Sequence, residues 1–111
     1  MTFVINKVEL PSSEIGCEFE GLQYGETNVS FLLVDAPSGS GPQLHSHPYE
    51  EIFVVQEGQV TFTIGDATLE ATGGQIVIVP AGLPHKFVNS GLGVLRQIDI
   101  HPSPRMITTW L

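Results

Sequence analysis

The sequence is poor in cysteine, in positive charge and in long uninterrupted apolar segments. Cys17 is the only cysteine among 111 residues, so no disulfide can form within the chain, which fits a reducing compartment. Four basic residues stand against twelve acidic ones, and a net charge of −8 repels phosphate backbones and anionic lipid heads. No apolar segment reaches transmembrane length, and the first residues do not resemble a secretory signal. These absences predict a cytoplasmic protein that binds neither nucleic acid nor membrane.

Helical periodicity is also missing. No window of ordinary helix length keeps apolar residues at helical spacing without a glycine or proline, of which there are 12 and 8. Between them lie short segments rich in Val, Ile, Phe and Thr, which are typical of strands joined by tight turns. We predict strands at residues 2–10, 28–35, 43–47, 51–55, 59–64, 67–71, 75–79, 85–89 and 93–100. Their regular spacing indicates an all-β sandwich or barrel.

Two of these strands, at 52–55 and 75–79, are apolar on both faces. One face of such a strand can fill a barrel, whereas the other needs a cover. Either a second sheet of the same chain supplies that cover, or a partner chain does. We expect a homodimer, with the single-chain arrangement as the alternative.

Four residues are candidate metal ligands. His45 and His47 are two positions apart on a predicted strand, so both imidazoles point to the same side. Glu51 follows, but Pro48 interrupts the strand, and counting alone does not fix the face of Glu51. His85 lies on a later strand, which a rolled barrel can bring to the same interior. Imidazoles with one carboxylate suit a first-row divalent metal, although any one of these histidines alone would more often be a plain surface or core residue.

Two segments resemble the conserved motifs of the cupin superfamily. The first, GSGPQLHSHPYEEIFVVQEG at 39–58, matches at Gly39, His45, His47, Glu51 and Gly58. The second, GQIVIVPAGLPHKFVN at 74–89, matches at Gly74, Pro80, Gly82, His85 and Asn89. Both segments keep the internal spacing of the family, and only the short gap 59–73 separates them.

The resemblance implies an antiparallel double-stranded β-helix, or jelly-roll barrel, as a single domain over 1–111 with a C-terminal tail at 101–111. It also implies that His45, His47, Glu51 and His85 bind one divalent metal ion per chain, with Fe, Mn, Ni, Zn, Cu and Co as candidates. The family spacing selects Glu51 over its neighbour Glu50. Asn89 is expected to make hydrogen bonds and not to bind the metal.

Two phenylalanines are candidates for the wall of a substrate pocket. Phe53 shares strand parity with Glu51, and Phe87 shares it with His85, so each could line the metal cavity. Plain core filling is an equal alternative for both. An apolar wall would favour a small, partly apolar organic ligand.

The last predicted strand leaves two arrangements open. Arg96 shares one face with Ile98 and Ile100, and the apolar content of that face favours it as the inner one. Arg96 would then lie in the pocket and could bind a substrate carboxylate; the alternative is an exposed Arg96 at the strand end. His101 lies on the opposite face and is expected at the pocket rim or at an interface. In the tail, Trp110 is expected to anchor packing or a dimer and not to contact substrate.

Fold alone does not fix function, and the cupin family includes both enzymes and binding proteins. We expect a metal-dependent enzyme acting on a small organic molecule, either an oxygenase of the dioxygenase type or a Lewis-acid isomerase, decarboxylase or lyase. Glu51 is then a candidate base as well as a ligand. The alternative is a non-catalytic cupin that binds or senses a small ligand through the same metal. His101 or Asp99 facing the metal would favour the enzyme, and purely aliphatic walls would favour the binder.

Overall fold

Two antiparallel β-sheets face each other in the computed structural model, which describes residues 4–111. The strands are β1 (Ser12–Ser13), β2 (Gly16–Phe19), β3 (Ser30–Ala36), β4 (His45–Ser46), β5 (Glu51–Glu57), β6 (Gln59–Ile64), β7 (Ala67–Thr72), β8 (Ile76–Val79), β9 (His85–Asn89), β10 (Leu95–His101) and β11 (Thr109–Trp110). The large sheet has the order β1-β2-β3-β10-β5-β8, and the small sheet has the order β11-β4-β9-β6-β7. The prediction of an all-β fold is confirmed, and the strands at 59–64 and 85–89 have the predicted bounds.

The predicted first strand is wrong over its described part, since Lys7–Glu9 forms a 3₁₀ turn and residues 2–3 lie outside the described residues. Local hydrogen bonds explain the turn: the amides of Glu9 and Leu10 donate to the carbonyls of Asn6 and Lys7 at 2.9 and 3.1 Å. A second 3₁₀ turn lies at Gly21–Gln23, and the described residues contain no α-helix. None of them forms a helix long and apolar enough to span a bilayer.

Three short strands, β1, β2 and β11, were not predicted. Strand β2 begins at Gly16 and contains Glu18 between two apolar residues. Its four residues therefore form neither a continuous apolar segment nor a strand with a polar outer face. Its pairing with β3 stabilises it instead, with Cys17 opposite Leu33 and Phe19 opposite Phe31. Such strands depend on long-range pairing, which local sequence patterns do not record.

The apolar core lies between the two sheets, toward one end of the barrel. Alternate residues of β5, β6 and β9 point inward, as a half-buried strand requires. Phe62 lies at the centre, with ring centroids 4.9 Å from Phe53 and 5.7 Å from Phe87. The buried core comprises Val34, Ala36, Phe53, Val55, Val60, Phe62, Ala71, Val77, Val79, Phe87 and Leu95. This packing fixes the strands whose ends carry the polar residues described below.

Strand β10 points its polar residues into the barrel, although the apolar content of its other face favoured that one as the inner face. Arg96 is exposed and Ile98 and Ile100 point outward, while Gln97 and Asp99 are each 1% exposed. Of the two arrangements that the sequence leaves open, the structure has the one with Arg96 exposed. The outer face of the large sheet is itself apolar, so apolar content does not distinguish the two faces of this strand. Arg96 therefore lies outside the barrel.

Candidate metal centre

Four side chains converge at the end of the barrel away from the phenylalanine cluster. His45 lies on β4 directly opposite His85, the first residue of β9. His47 follows β4, and Glu51 begins β5. One ligand atom from each side chain lies within 4.8 Å of the others, and all four residues are buried. The structure thus brings together the four predicted ligands as a group that could bind a metal ion, while Glu50 is exposed.

Main-chain carbonyls fix the orientation of the three imidazoles. The Nδ1 atoms of His45, His47 and His85 lie 2.6, 2.8 and 2.9 Å from the carbonyl oxygens of Gln43, Ile107 and Leu83, respectively. A carbonyl can only accept, so each Nδ1 must carry the hydrogen. In the neutral ring each Nε2 then keeps a lone pair. In a metal-binding histidine, one ring nitrogen usually donates a hydrogen bond to a neighbouring group, and the other nitrogen binds the metal.

The Glu51 carboxylate is the negative centre of this group. Its Oε1 lies 3.0 Å from Nε2 of both His47 and His85. Nε2 of His47 is buried and has no hydrogen-bond partner of regular geometry. Imidazole lone pairs at this distance from a carboxylate oxygen repel it unless protons or a cation lie among them. Three nitrogen donors and one oxygen donor fit a first-row divalent ion.

The pKa values of these groups reflect the same crowding. Burial alone would raise the pKa of Glu51, but its contacts with His101, His47 and His85 outweigh burial and lower that pKa below its ordinary value. Burial opposes protonation of His47, yet the contact with Glu51 and the Ile107 carbonyl raises its pKa. Burial lowers the pKa of His45. Glu51 is therefore ionised, and a positive charge is favoured beside it.

His101 points into the same region and lines the cavity, deeper than a rim position. It is 3% exposed, and its Nε2 lies 3.1 Å from Oε2 of Glu51. Its Nδ1 lies 2.6 Å from the hydroxyl of Tyr49. The sequence carried one signal for this position: His101 shares strand parity with Gln97 and Asp99, the buried polar set of β10.

Asp99 is a buried carboxyl group with an incomplete set of partners. The Gln97 amide donates to its Oδ1 at 2.9 Å, whereas Oδ2 is buried without a partner. Burial and the nearby charge of Glu51 raise the pKa of Asp99 well above its ordinary range. Asp99 therefore keeps its proton to higher pH than an exposed aspartate.

A cavity of about 600 Å³ opens from this group to the surface. Its wall is formed by Ser13, Ile15, Glu18, Glu20, Leu32, Pro42, His45, His47, Glu51, Phe87, Asp99, His101, Met106, Thr108 and Trp110. Phe87 is among them and also belongs to the apolar core, whereas Phe53 lies deeper, its ring centroid 6.1 Å from that of His85. Arg96, predicted as a pocket residue, lies outside. The wall contains four acidic residues, and none of the chain's four lysines and arginines contributes to it.

The C-terminal tail takes part in the site, contrary to the expectation that Trp110 only anchors packing. Strand β11 pairs with β4, which sets Trp110 opposite His45 with ring centroids 5.1 Å apart. Trp110 is 63% exposed and stands at the cavity wall. Ile107 supplies the carbonyl that orients His47. The tail therefore completes the cavity.

The pKa of Asp99 predicts a pH-dependent stability difference in metal-free protein. A raised pKa means that the folded state binds the proton more tightly. The stabilisation is therefore complete below the ordinary value of 3.8 and is lost as pH rises toward the folded pKa. Asp99→Asn removes this loss, so its stability relative to the unmodified chain should increase with pH, by at most about 1.4 kcal/mol per pH unit. Urea unfolding from pH 4 to 8 measures it, with exposed Asp66→Asn as the control, and a difference independent of pH would refute the assignment.

Comparisons with solved structures show the same fold. Oxalate decarboxylase of Bacillus subtilis at pH 4.6 superposes with a TM-score of 0.81 and 21% identity, over 93% of this chain and 29% of that one. The formate complex of the Lactobacillus farciminis oxalate decarboxylase gives 0.80 and 19%, over 93% and 33%. At these identities the likeness concerns the fold, and this chain spans about a third of each enzyme.

Curated relatives match over about half of the chain. An uncharacterised protein of Streptomyces coelicolor is 34% identical over 62 residues, which are 56% of this chain and 59% of that protein. The HTH-type transcriptional regulator PuuR of Escherichia coli is 36% identical over 55 residues, which are 50% of this chain and 30% of the regulator. The family model described as "Cupin domain" matches residues 31–101, well over half of the chain. Together with the jelly-roll sheets and the four candidate ligands gathered at one end of the barrel, this match shows that the chain belongs to the cupin family.

Proposed function

We propose that this chain is a single-domain, metal-dependent enzyme that acts on a small organic molecule. His45, His47, Glu51 and His85 would hold one divalent ion per chain. The observation that carries the proposal is the set of three imidazoles, each held by a carbonyl at Nδ1, that lie with the buried Glu51 carboxylate in one group of possible ligand atoms. An open cavity reaches this group from the surface. Candidates for the ion are Fe, Mn, Ni, Zn, Cu and Co, and solved Bacillus subtilis oxalate decarboxylase has Mn(II) centres.

Four protein ligands leave room for exchangeable positions in a six-coordinate ion, which separates a reactive centre from a closed structural one. A bound ion would polarise a substrate oxygen and, with a redox-active metal, would support dioxygen chemistry. The chain's own residues bind and orient the substrate. Leu32, Phe87 and Met106 supply apolar contact, and Asp99 supplies a buried carboxyl group that can exchange a proton with a bound molecule.

The cavity wall supports a neutral or singly charged, partly apolar substrate. Glu18 and Glu20 line the cavity together with Glu51, and no lysine or arginine lies in the wall beside them. A small dianion such as oxalate would lack a cationic side chain for its second carboxylate. We favour oxygenation of such a substrate, with Lewis-acid isomerisation, decarboxylation or elimination as the other reactions that the same centre supports.

Similarity to PuuR supports a second candidate, a ligand-sensing cupin without turnover. Such a protein would use the same cavity and metal for recognition only. The inward His101 and Asp99 favour the enzyme, because a binder needs no proton-exchanging group beside the metal.

Metal content tests the ligand set. We expect the purified and reconstituted protein to contain close to one metal ion per chain by elemental analysis. His47→Ala and His85→Ala each remove a nitrogen ligand, so retention should fall by more than the roughly 10–100-fold that loss of an outer partner costs. Lys86→Ala is the matched control, since Lys86 is exposed on the same strand. An unmodified chain that takes up no metal after reconstitution would end the proposal.

Turnover distinguishes the two functions. Iron is loaded anaerobically, and oxygen uptake is followed with a panel of phenols, monocarboxylic acids and oxalate. We expect uptake with a phenol or a monocarboxylic acid, none with oxalate, and none for His47→Ala. Ligands that bind without any product, by NMR analysis of the Fe, Mn, Ni and Zn forms, would favour the sensor instead.

We further propose that a second copy of the chain covers the outer face of the large sheet. Cross-strand pairing builds two uncharged rows on this face, Ile78–Ile52–Ile100–Phe31 and Ile76–Val54–Ile98–Leu33. Ile76 and Ile78, on the edge strand β8, are 64% and 62% exposed. A two-fold dimer brings this face against itself, which buries the same apolar rows of both copies.

Light scattering coupled to gel filtration tests the dimer. The expected mass is about twice the 12.0 kDa of one chain. Ile78→Lys places a charge in the apolar rows and should produce a monomer at the same concentration. Leu92→Lys is the control, because Leu92 is fully exposed away from the large sheet. A monomeric unmodified chain, or a dimer indifferent to Ile78→Lys, would contradict this arrangement.

A further inference from the structure

A chain of polar contacts runs from the tail to the side of Glu51 that faces away from the other imidazoles. The amide of Ile107 donates to the hydroxyl oxygen of Tyr49 at 3.1 Å. That hydroxyl lies 2.6 Å from Nδ1 of His101, and Nε2 of His101 lies 3.1 Å from Oε2 of Glu51. His101 and Glu51 are buried. The contact between His101 and Glu51 is therefore shielded from water, that between Tyr49 and His101 is partly buried, and that between Ile107 and Tyr49 is exposed.

The direction of these contacts fixes which ring nitrogen of His101 carries the hydrogen. The Tyr49 oxygen already accepts from the Ile107 amide, and among the described residues the Nδ1 of His101 is the acceptor within reach of its single hydrogen. Nδ1 of His101 then accepts, and its hydrogen must lie on Nε2 in the neutral ring.

His101 is thus the opposite tautomer of the other three histidines. Carbonyls hold the Nδ1 hydrogens of His45, His47 and His85, which leaves their Nε2 atoms free to bind a cation. A hydroxyl holds Nδ1 of His101, which turns an N–H toward Glu51. A histidine whose Nδ1 faces a carbonyl is therefore suited to bind a metal ion through Nε2. The one histidine whose Nδ1 faces a hydroxyl is suited to donate a hydrogen bond through Nε2.

We propose that Tyr49 and His101 are positioning residues, which hold Oε2 of Glu51 so that the carboxylate offers only Oε1 to the metal. This inference rests on the proposed metal centre and adds to it the division of labour between the two carboxylate oxygens. Oε1 is the oxygen at 3.0 Å from Nε2 of His47 and of His85, two of the three imidazole nitrogens with which it would share the ion.

The geometry also distinguishes His101 from a fifth ligand. Its ligand atom is not part of the group whose atoms all lie within 4.8 Å of one another. Its contact with Oε2 is more bent than a regular hydrogen bond, since Nε2 lacks a partner of regular geometry. A donor to a carboxylate tolerates that bend, because the charge of the acceptor supplies much of the attraction.

Nitrogen-15 NMR of the zinc-loaded protein reads the tautomers directly. Two-bond nitrogen–proton correlations show which ring nitrogen carries hydrogen. We expect Nδ1–H for His45, His47 and His85, and Nε2–H for His101. Tyr49→Phe removes the hydroxyl and should release His101 from this single tautomer, while the other three histidines stay unchanged. A His101 with hydrogen on Nδ1, or with Nε2 bound to zinc, would overturn the proposal.

Manganese affinity measures what the positioning achieves. Free Mn(II) is quantified by electron paramagnetic resonance in a titration of the full chain. His101→Leu removes the donor and should weaken binding about 10-fold, the lower end of the cost of an outer partner. His101→Gln retains an N–H and should restore most of the affinity. His85→Gln is the same substitution at a proposed ligand, and it should not retain the Mn(II) affinity of the unmodified chain.

Each outcome separates this inference from the proposed metal centre. If the unmodified chain binds no Mn(II), both fail. If it binds Mn(II) and His101→Leu binds equally well, the centre stands and the positioning role is wrong. If His101→Gln loses as much affinity as His85→Gln and alters the Mn(II) spectrum in the same manner, His101 is a ligand. Circular dichroism of each variant verifies that it is folded.

Discussion

The structure depends on a single buried carboxylate surrounded by imidazoles. Glu51 is 2% exposed, and three histidine nitrogens lie within 3.1 Å of its two oxygens. A buried charge without compensation is too costly to keep, so positive charge must accompany it. The orientation of His47 and His85 by carbonyls prepares their Nε2 atoms for a metal ion and not for each other. The cavity, the tail and the polar face of β10 are arranged around that requirement.

The division of the barrel into two ends follows from the strand pattern. Phenylalanine packing closes one end, and polar residues of the same strands occupy the other. On β9, for example, Phe87 contacts the core while His85, two positions earlier on the same face, belongs to the candidate metal centre. Strand parity predicted that the two residues share a face, but it left open whether Phe87 lines the cavity or fills the core, and Phe87 does both. The ligand set, in contrast, came from the resemblance to the cupin motifs, since Pro48 hides the face of Glu51.

The sequence did not predict the contributions of β10 and the tail. Alternation shows that Gln97, Asp99 and His101 share a face, but an apolar outer face made the opposite set look like the core. For the tail, the contributing groups are main-chain atoms: the carbonyl of Ile107 orients His47, and its amide binds Tyr49. Any residue could supply those main-chain atoms, so the residue types at 101–111 do not indicate these hydrogen bonds. Such contacts become visible only when long-range pairing, here β11 with β4, is known.

Anomalous diffraction at the absorption edge of the loaded metal tests the central claim most directly. Crystals of the Mn(II)- or Zn(II)-loaded chain should give one strong anomalous peak per chain, bound by Nε2 of His45, His47 and His85 and by Glu51 Oε1. Oε2 of Glu51 should remain with His101. A peak elsewhere, or no peak in crystals of protein shown to be saturated, would contradict the account.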